Sequence, residues 1–232
     1  MLQYVPDAWH FRDGDLAVID LWSRLEAYLR ANAPDVLATL RPPVTDAAIR
    51  AAEAALGCPL PAELSASLRV HDGQLQDTGT SGPHTVPLVP EEFDDAGDSL
   101  ATWGELLPLE LIVSSTQRER QMTAQTVQLA REFGEAALYE CRGPVRRQPV
   151  WDWIDFVDAG TGDRLALDLN PAPGGTHGQV VSIVHDPSML IVLSRSYRQW
   201  FEDLVTSYET GRYFFGEQDG LLTALDRFNP RG

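Results

Sequence analysis

Between two turn-rich segments, the stretch Arg164-Leu165-Ala166-Leu167-Asp168-Leu169 places leucine at every second position. This alternation specifies an antiparallel strand with its leucines turned inward and Arg164, Ala166 and Asp168 on a half-exposed face. Asp158-Ala159-Gly160-Thr161-Gly162-Asp163 precedes it and Asn170 to Gly178 follows, both with the residues that tight connections require. Trp151–Val157, Gln179–Val184 and Met189–Leu193 read as further strands. The second half of the chain is expected to be a meander, without the strand–helix alternation of a Rossmann-like sheet.

The first half reads as helix. Leu21, Trp22, Leu25 and Leu29 recur at helical spacing, with Asp20 as the expected N-cap and Pro34 beyond the end. Arg41-Pro42-Pro43 is a stiff connector. Thr45 caps a second helix carrying Ile49, Ala52 and Leu56, and Gly57 stops it. Pro61 suits the first turn of a third helix, which ends at His71-Asp72-Gly73. Gln74 to Ala101, with Gly79, Gly82, Pro83, Pro87 and Pro90, is expected to be a mobile surface insertion. Leu106–Val113 reads as an apolar connector to a long helix capped by Ser114 or Ser115. Met122, Gln125, Leu129 and Phe133 form its stripe, and Gly134 its end. Cys141–Gln148 reads as a basic turn. Ser196 to Gln199 is a capping box for a helix with Trp200, Phe201, Leu204 and Tyr208, closed by Gly211. Leu221, Leu222, Leu225 and Phe228 suggest a final docked helix.

The expected fold class is α+β: N-terminal helices packed with a mostly antiparallel sheet formed largely by the second half, plus a long middle helix and a C-terminal helix. One domain over 1–232 is expected, with a variable acidic loop at about 74–101 and a short C-terminal tail at 214–232.

The 232 residues suffice for a full core, and the net charge of −16 is unevenly spread. From Val70 to Gln117 there are nine carboxylates and no arginine; from Val150 to Leu190 six aspartates face Arg164 alone. Such a field repels nucleic acid and anionic membrane and steers basic partners inward. It also keeps a protein soluble. All 18 basic residues are arginine, which resembles a GC-rich bacterial coding bias. Asp7, Arg12, Asp13, Asp15 and Asp20 interrupt any signal-peptide core, and no apolar run approaches a membrane span. Cys58 and Cys141 read as reduced thiols of a cytosolic protein.

The catalytic and metal motifs are weak. Asp155, Asp158, Asp163 and Asp168 offer oxygen ligands without the spacing of a calcium loop. His10, His71, His84, His177 and His185 are scattered, and no CxxC occurs. Gly79-Thr80-Ser81-Gly82 is no nucleophile elbow. Cys141 beside Arg142 lacks a placed base. Asp155 with Asp168 is a carboxylate pair any acidic protein offers. Gly174-Gly175-Thr176-His177-Gly178 leads to a strand, not the helix a phosphate cradle needs. No catalytic residue, metal or cofactor is expected. Trp151 and Trp153 share one side of a strand; core packing is the first reading for both, and the alternative buries one and leaves the other to anchor a partner from an acidic rim.

Trp22, Leu25-Glu26-Ala27-Tyr28-Leu29, Leu40 to Thr45, Glu53 to Gly57 and Leu60-Pro61-Ala62-Glu63-Leu64 form an ordered set. His71-Asp72-Gly73-Gln74, Trp153-Ile154, Gly162-Asp163, Leu167-Asp168-Leu169, Pro171, Gly175, Gly178-Gln179-Val180 and Ser194 to Trp200 continue it. This order resembles the SUKH superfamily, which includes fungal Smi/Knr-type cell-wall assembly regulators and many bacterial toxin-immunity proteins. The resemblance runs from about Trp22 to Tyr213. It implies an α+β domain without known catalysis, with Trp22, His71, Asp72, Gly73, Gln74, Trp153, Asp168, Gly175 and Gln179 as structural motif positions.

The reading that follows is a cytoplasmic, non-enzymatic binding module: a bacterial immunity protein that neutralises a basic, nuclease-type toxin domain. Trp151, Asp155, Asp158, Asp163, Glu91, Glu92, Asp94 and Asp95 are its expected contacts, with no binding to nucleic acid or membrane. A regulatory adaptor in envelope or stress signalling, and a carboxylate-dependent hydrolase, are the alternatives.

Overall fold

A computed structural model describes residues 13–75, 86–90, 92–93, 99–101, 104–133, 139–146, 152–186, 188–218 and 221–226. Helix α1, Asp13–Asn32, buries Val18, Leu21, Trp22, Leu25 and Leu29 along one stripe. It starts ahead of Asp20, the expected cap, because Val18 extends the apolar stripe by one turn. A four-residue helix α2, Pro34–Leu37, follows with proline at its first position. Helix α3, Asp46–Leu56, is built as its sequence predicts: Thr45 Oγ1 accepts from Ala48 N at 3.2 Å, and Gly57 takes the left-handed conformation. Helix α4, Ala62–Leu68, is buried from Leu64 onward and packs against α1.

A small hairpin pairs β1, Glu92–Phe93, with β2, Ser99–Ala101. Strand β3, Glu105–Leu106, then leads into helix α5, Leu109–Phe133. Strands β4 (Glu140–Arg142), β5 (Trp153–Asp158), β6 (Arg164–Asp168), β7 (Gln179–Val184) and β8 (Met189–Ser194) complete a sheet in the order β3-β5-β6-β7-β8-β4. Its pairings are antiparallel except β4 with β8, which run parallel with Cys141 opposite Leu190. Helix α6, Tyr197–Glu209, is capped by Ser196 Oγ, which accepts from Gln199 N at 3.2 Å. The hairpin of β9, Tyr213–Gln218, and β10, Leu221–Asp226, ends the described chain.

The sheet is covered on both faces. Ile154, Phe156, Leu165, Leu167 and Val180 join Trp22, Trp200, Phe201 and Leu204 in the main core. Trp153, Ala166, Val181, Ile183 and Leu190 form a second cluster with Val145. The half-exposed face expected for β6 is therefore absent: Ala166 and Asp168 are both 0% exposed. Segment 139–146 supplies the cover, so Cys141–Gln148 is not simply a turn.

Other expectations change similarly. The segment beginning at Gln74 is no free insertion at its described ends, because Gln74, Leu88 and Val89 are buried and Val89 bridges to Gly104. Residues 76–85, 91 and 94–98 lie outside the described residues. Helix α5 begins at Leu109, before Ser114 and Ser115, and its buried face carries Leu109, Ile112, Ser115 and Thr116. Met122 is 49% exposed, so the stripe predicted through it is not a core stripe there. The side chains of Gln125, Leu129 and Phe133, and Gly134 itself, are outside the described set. The described part of the tail forms strands, not a helix: Leu221 pairs with Gln218 and Asp226 with Tyr213, while Phe228 lies outside the described residues. The aromatic run Tyr213-Phe214-Phe215 and the Asp219-Gly220 dipeptide carry that signal in the sequence.

Candidate functional site

The His71–Gln74 turn leaves α4 and is held on every side. Between the Nδ1 of His71 and the Arg41 carbonyl is 3.0 Å, and between its Nε2 and Glu26 Oε1 is 3.1 Å; its ring meets Trp22 edge-on. Asp72 Oδ1 accepts from Leu109 N at 2.7 Å, capping α5, while Arg41 pairs with its other oxygen at 3.0 Å. Burial pushes the Asp72 carboxyl up, and the Leu109 N–H and Arg41 oppose that shift. Gly73 has φ 65°, and an added Cβ would stand 2.6 Å from the Leu106 carbonyl oxygen, so only glycine fits. Gln74 Nε2 donates to Thr39 Oγ1 and the Val86 carbonyl, and its Oε1 accepts from Leu88 N and Leu106 N. One amide thus joins four segments.

A second cluster locks α5 to the sheet. Asp155 Oδ2 accepts from Ser115 Oγ at 2.7 Å. The Asp155 N–H, beyond the reach of the short strand β3, donates to Thr116 Oγ1 at 3.2 Å. A helix hydroxyl therefore satisfies an edge donor. Arg164 Nε lies 3.5 Å from Asp155 Oδ1, and its Nη2 pairs with Glu119 at 2.6 Å. Burial raises the Asp155 carboxyl, against the pull of Arg164 and Ser115. Asp155 is 1% exposed. Its expected role as a partner contact is corrected: a carboxylate enclosed by α5 and β6 presents nothing to a partner.

A third cluster fastens the β6–β7 turn. Asp168 accepts from Asn170 N at 2.9 Å and from Gln179 Nε2 at 3.1 Å. The same Gln179 nitrogen donates to the Pro144 carbonyl at 3.0 Å, and Gln179 Oε1 accepts from Thr176 N. Gly175 is pressed against this set: an added Cβ would meet Pro171 Cβ at 2.6 Å and the Pro144 oxygen at 2.8 Å. Burial raises the Asp168 carboxyl, opposed by the Asn170 N–H and Gln179. Trp153, opposite Asp168, is 5% exposed.

Carboxylates that solvent reaches lie at many points of the described surface, and four of them share one end of the sheet. Asp158, at the end of β5, is in register with Glu105 and Arg164 on its two neighbours. Across the adjoining turns, Asp163 Oδ1 accepts from His185 N at 2.6 Å, and Asp186 is exposed beside it. Arg164 lies at this end, committed to Glu119 and Asp155. This end of the sheet therefore presents Glu105, Asp158, Asp163 and Asp186. Of the other expected contacts, Glu92 lies in β1, and Trp151, Glu91, Asp94 and Asp95 lie outside the described residues. Ser115, Thr116 and Arg164 were missed as cluster members, because each bonds a partner about 40 residues away; Ser67 and Tyr197, whose hydroxyls lie 2.7 Å apart, are separated by 130 residues.

Among the described residues, no group of three or more His, Cys, Asp or Glu is arranged to hold a metal ion. Among them also, no helix is long and apolar enough to cross a membrane.

Helices packed against a mostly antiparallel sheet and joined to it by buried polar ties define an α+β protein. The chain matches the SMI1 / KNR4 family (SUKH-1) over residues 43–203, more than half its length, and belongs to that family. It is 23% identical to the cell wall assembly regulator SMI1 of Saccharomyces cerevisiae, over 93% of this chain and 46% of that protein. It is 25% identical to the cell wall biosynthesis/cell cycle regulator smi1 of Schizosaccharomyces pombe, over 90% of this chain and 39% of that protein. It is also 24% identical to the glucan synthesis regulatory protein of Neurospora crassa, over 88% and 41%. The chain spans less than half the length of these curated relatives. They are named as regulators, and none of the three names is that of an enzyme.

Proposed function

We propose that this chain is a non-catalytic protein-binding module whose acidic sheet end receives a basic protein partner. One observation carries the reading. Asp72, Asp155 and Asp168, the buried acids with raised proton affinity, are each bonded within the fold, while the acids at the end of the sheet remain partly or fully open. A hydrolase needs its acids where substrate reaches them; here the pair Asp155 and Asp168 is enclosed. Complementary charge on a partner would speed encounter, and a few buried anchors would supply affinity.

The more specific form is an immunity protein that covers a basic toxin domain, as many SUKH relatives do. A second reading, favoured by the names of the fungal relatives, is a regulatory adaptor. Affinity capture with the tagged full chain from its native host separates them. One stoichiometric basic partner, encoded beside this chain and toxic alone, supports immunity. Several partners and no toxic neighbour support the adaptor. Capture of no protein by the wild-type chain that a charge-neutralised variant fails to capture overturns the binding module itself.

A further inference from the structure

The joint between α1, α4, α6 and the His71–Gln74 turn leaves a partly open cavity of about 10 Å³, walled by Trp22, Ser67, His71, Gly73, Leu107 and Tyr197 among others. That is room for a water molecule. Three polar groups of its wall residues have no partner among the described residues. Trp22 Nε1 donates to Ser67 Oγ at 2.8 Å, and Ser67 Oγ lies 2.7 Å from Tyr197 OH. The two hydroxyls own two hydrogens, and the bond between them uses one. Whichever is the donor, one hydroxyl hydrogen has no acceptor among the described residues, in side chains that are 3% and 2% exposed.

The other two groups are backbone. Gly73 is buried, and its carbonyl accepts from Arg41 N, but its N–H meets no acceptor among the described residues. Leu107 N donates to the Phe156 carbonyl at 2.9 Å, whereas the Leu107 carbonyl receives no donor among them. The start of α5 explains this: Leu111 N and Ile112 N both turn to the Pro108 oxygen instead. The two residues adjoin, since an added Cβ on Gly73 would stand 2.7 Å from the Leu107 oxygen. His71 offers the cavity no free nitrogen, because both face Arg41 and Glu26. Orphaned buried N–H groups are rare in folded proteins, and buried waters typically make about three hydrogen bonds to such groups.

We propose that this cavity is a binding site for one ordered water. The water accepts from the Gly73 N–H and from the spare Ser67–Tyr197 hydroxyl hydrogen, and donates to the Leu107 carbonyl. It joins α4, α6, the glycine turn and the connector into α5. The proposal is independent of which partner the acidic end receives.

The test combines a high-resolution crystal structure of the full chain with oxygen-17 relaxation dispersion in solution. The expected result is one density peak within about 3.2 Å of both Gly73 N and Leu107 O, and a long-lived water in the dispersion. Ser67→Ala and Tyr197→Phe each still leave one spare hydroxyl hydrogen, so each keeps that water. The double variant removes both and is expected to lose one long-lived water relative to the wild type. A dry cavity, a peak held by other atoms, or a folded double variant with an unchanged count overturns the proposal. Should the double variant not fold, the wild-type density and dispersion decide it.

Discussion

Ser115 Oγ donates to Asp155 Oδ2 at 2.7 Å, pinning α5 to β5 across 40 residues of sequence. The acceptor is a carboxylate inside the protein, so the bond comes with a buried charge that Arg164 compensates from 3.5 Å. Asp155→Asn keeps an acceptor for Ser115, removes the charge, and leaves Arg164 its ion pair with Glu119. Its stability is expected to lie within about 1 kcal/mol of wild type. Asp155→Ala strands the Ser115 hydroxyl and the Arg164 side chain and is expected to cost roughly 3 kcal/mol. Urea unfolding of both variants checks the order.

The same burial sets a pH dependence. Asp72, Asp155 and Asp168 are all shifted upward, chiefly by burial, so the fold prefers their protonated forms more than the unfolded chain does. For a raised carboxyl, the stabilising contribution is complete below the unfolded value near 4. It is lost as pH rises through the higher folded value. These three groups therefore weaken the fold as pH rises above about 4 and through their raised folded values. Asp155→Asn is expected to flatten that part of the stability–pH curve. A variant curve parallel to wild type from about pH 4 to 7 would show that Asp155 does not titrate there.

Two glycines with the same backbone sign make opposite predictions about severity. Gly57 and Gly73 have φ 72° and 65°; an added Cβ on Gly57 meets nothing within 4 Å, whereas on Gly73 it meets backbone at 2.6 Å. Gly57→Ala is expected to cost about 1 kcal/mol, the left-handed penalty alone. Gly73→Ala must also displace the Leu106–Leu107 backbone, and is expected to cost roughly 3 kcal/mol or more. Thermal and urea midpoints of the two variants measure the difference.

Gln74 makes a further case. Gln74→Leu keeps approximate size but leaves Leu88 N without its side-chain acceptor and frees Thr39 Oγ1 and the Val86 carbonyl. At about 1–3 kcal/mol for a buried group left unsatisfied, and less for the half-buried Thr39 and Val86, the variant is expected to lose roughly 2–3 kcal/mol. Faster hydrogen exchange at Leu88 than at Ile49 would locate the loss at this joint.

Local signals carried much of this architecture. Thr45, Gly57, Ser196 and the leucines of β6 act through neighbours a few residues away, so caps, stops and strand alternation were readable. The start of α5 was not, because Leu109 N is capped by Asp72 from 37 residues away. The coverage of β6 was also hidden: Ala166 faces a layer supplied by segment 139–146, which the parallel β4–β8 pairing and the bond from Gln179 to the Pro144 carbonyl hold there. Asp155 misled for a related reason. Its alternation with Ile154 and Phe156 reads as an outward residue, and its enclosure depends on Ser115, Thr116 and Arg164 arriving from other elements.

The proposed contact surface gives the last prediction. Asp158 Oδ1 accepts from Gly160 N at 2.8 Å and Asp163 Oδ1 from His185 N, so truncating either acid would disturb its turn as well as its charge. Asp158→Asn and Asp163→Asn keep an acceptor oxygen, and Asp186→Asn changes an exposed residue. The triple variant removes three negative charges while its unfolding midpoint is expected to stay within the range of exposed substitutions, about 0.5 kcal/mol. Against a basic partner, its association rate is expected to fall by about tenfold at low salt, with a smaller change in dissociation. Its association rate should also depend less on ionic strength, because less charge remains to be screened. Stopped-flow association across a salt series, using the partner captured from the host, reads both quantities. An unchanged rate and salt slope would place the partner on another surface of the protein.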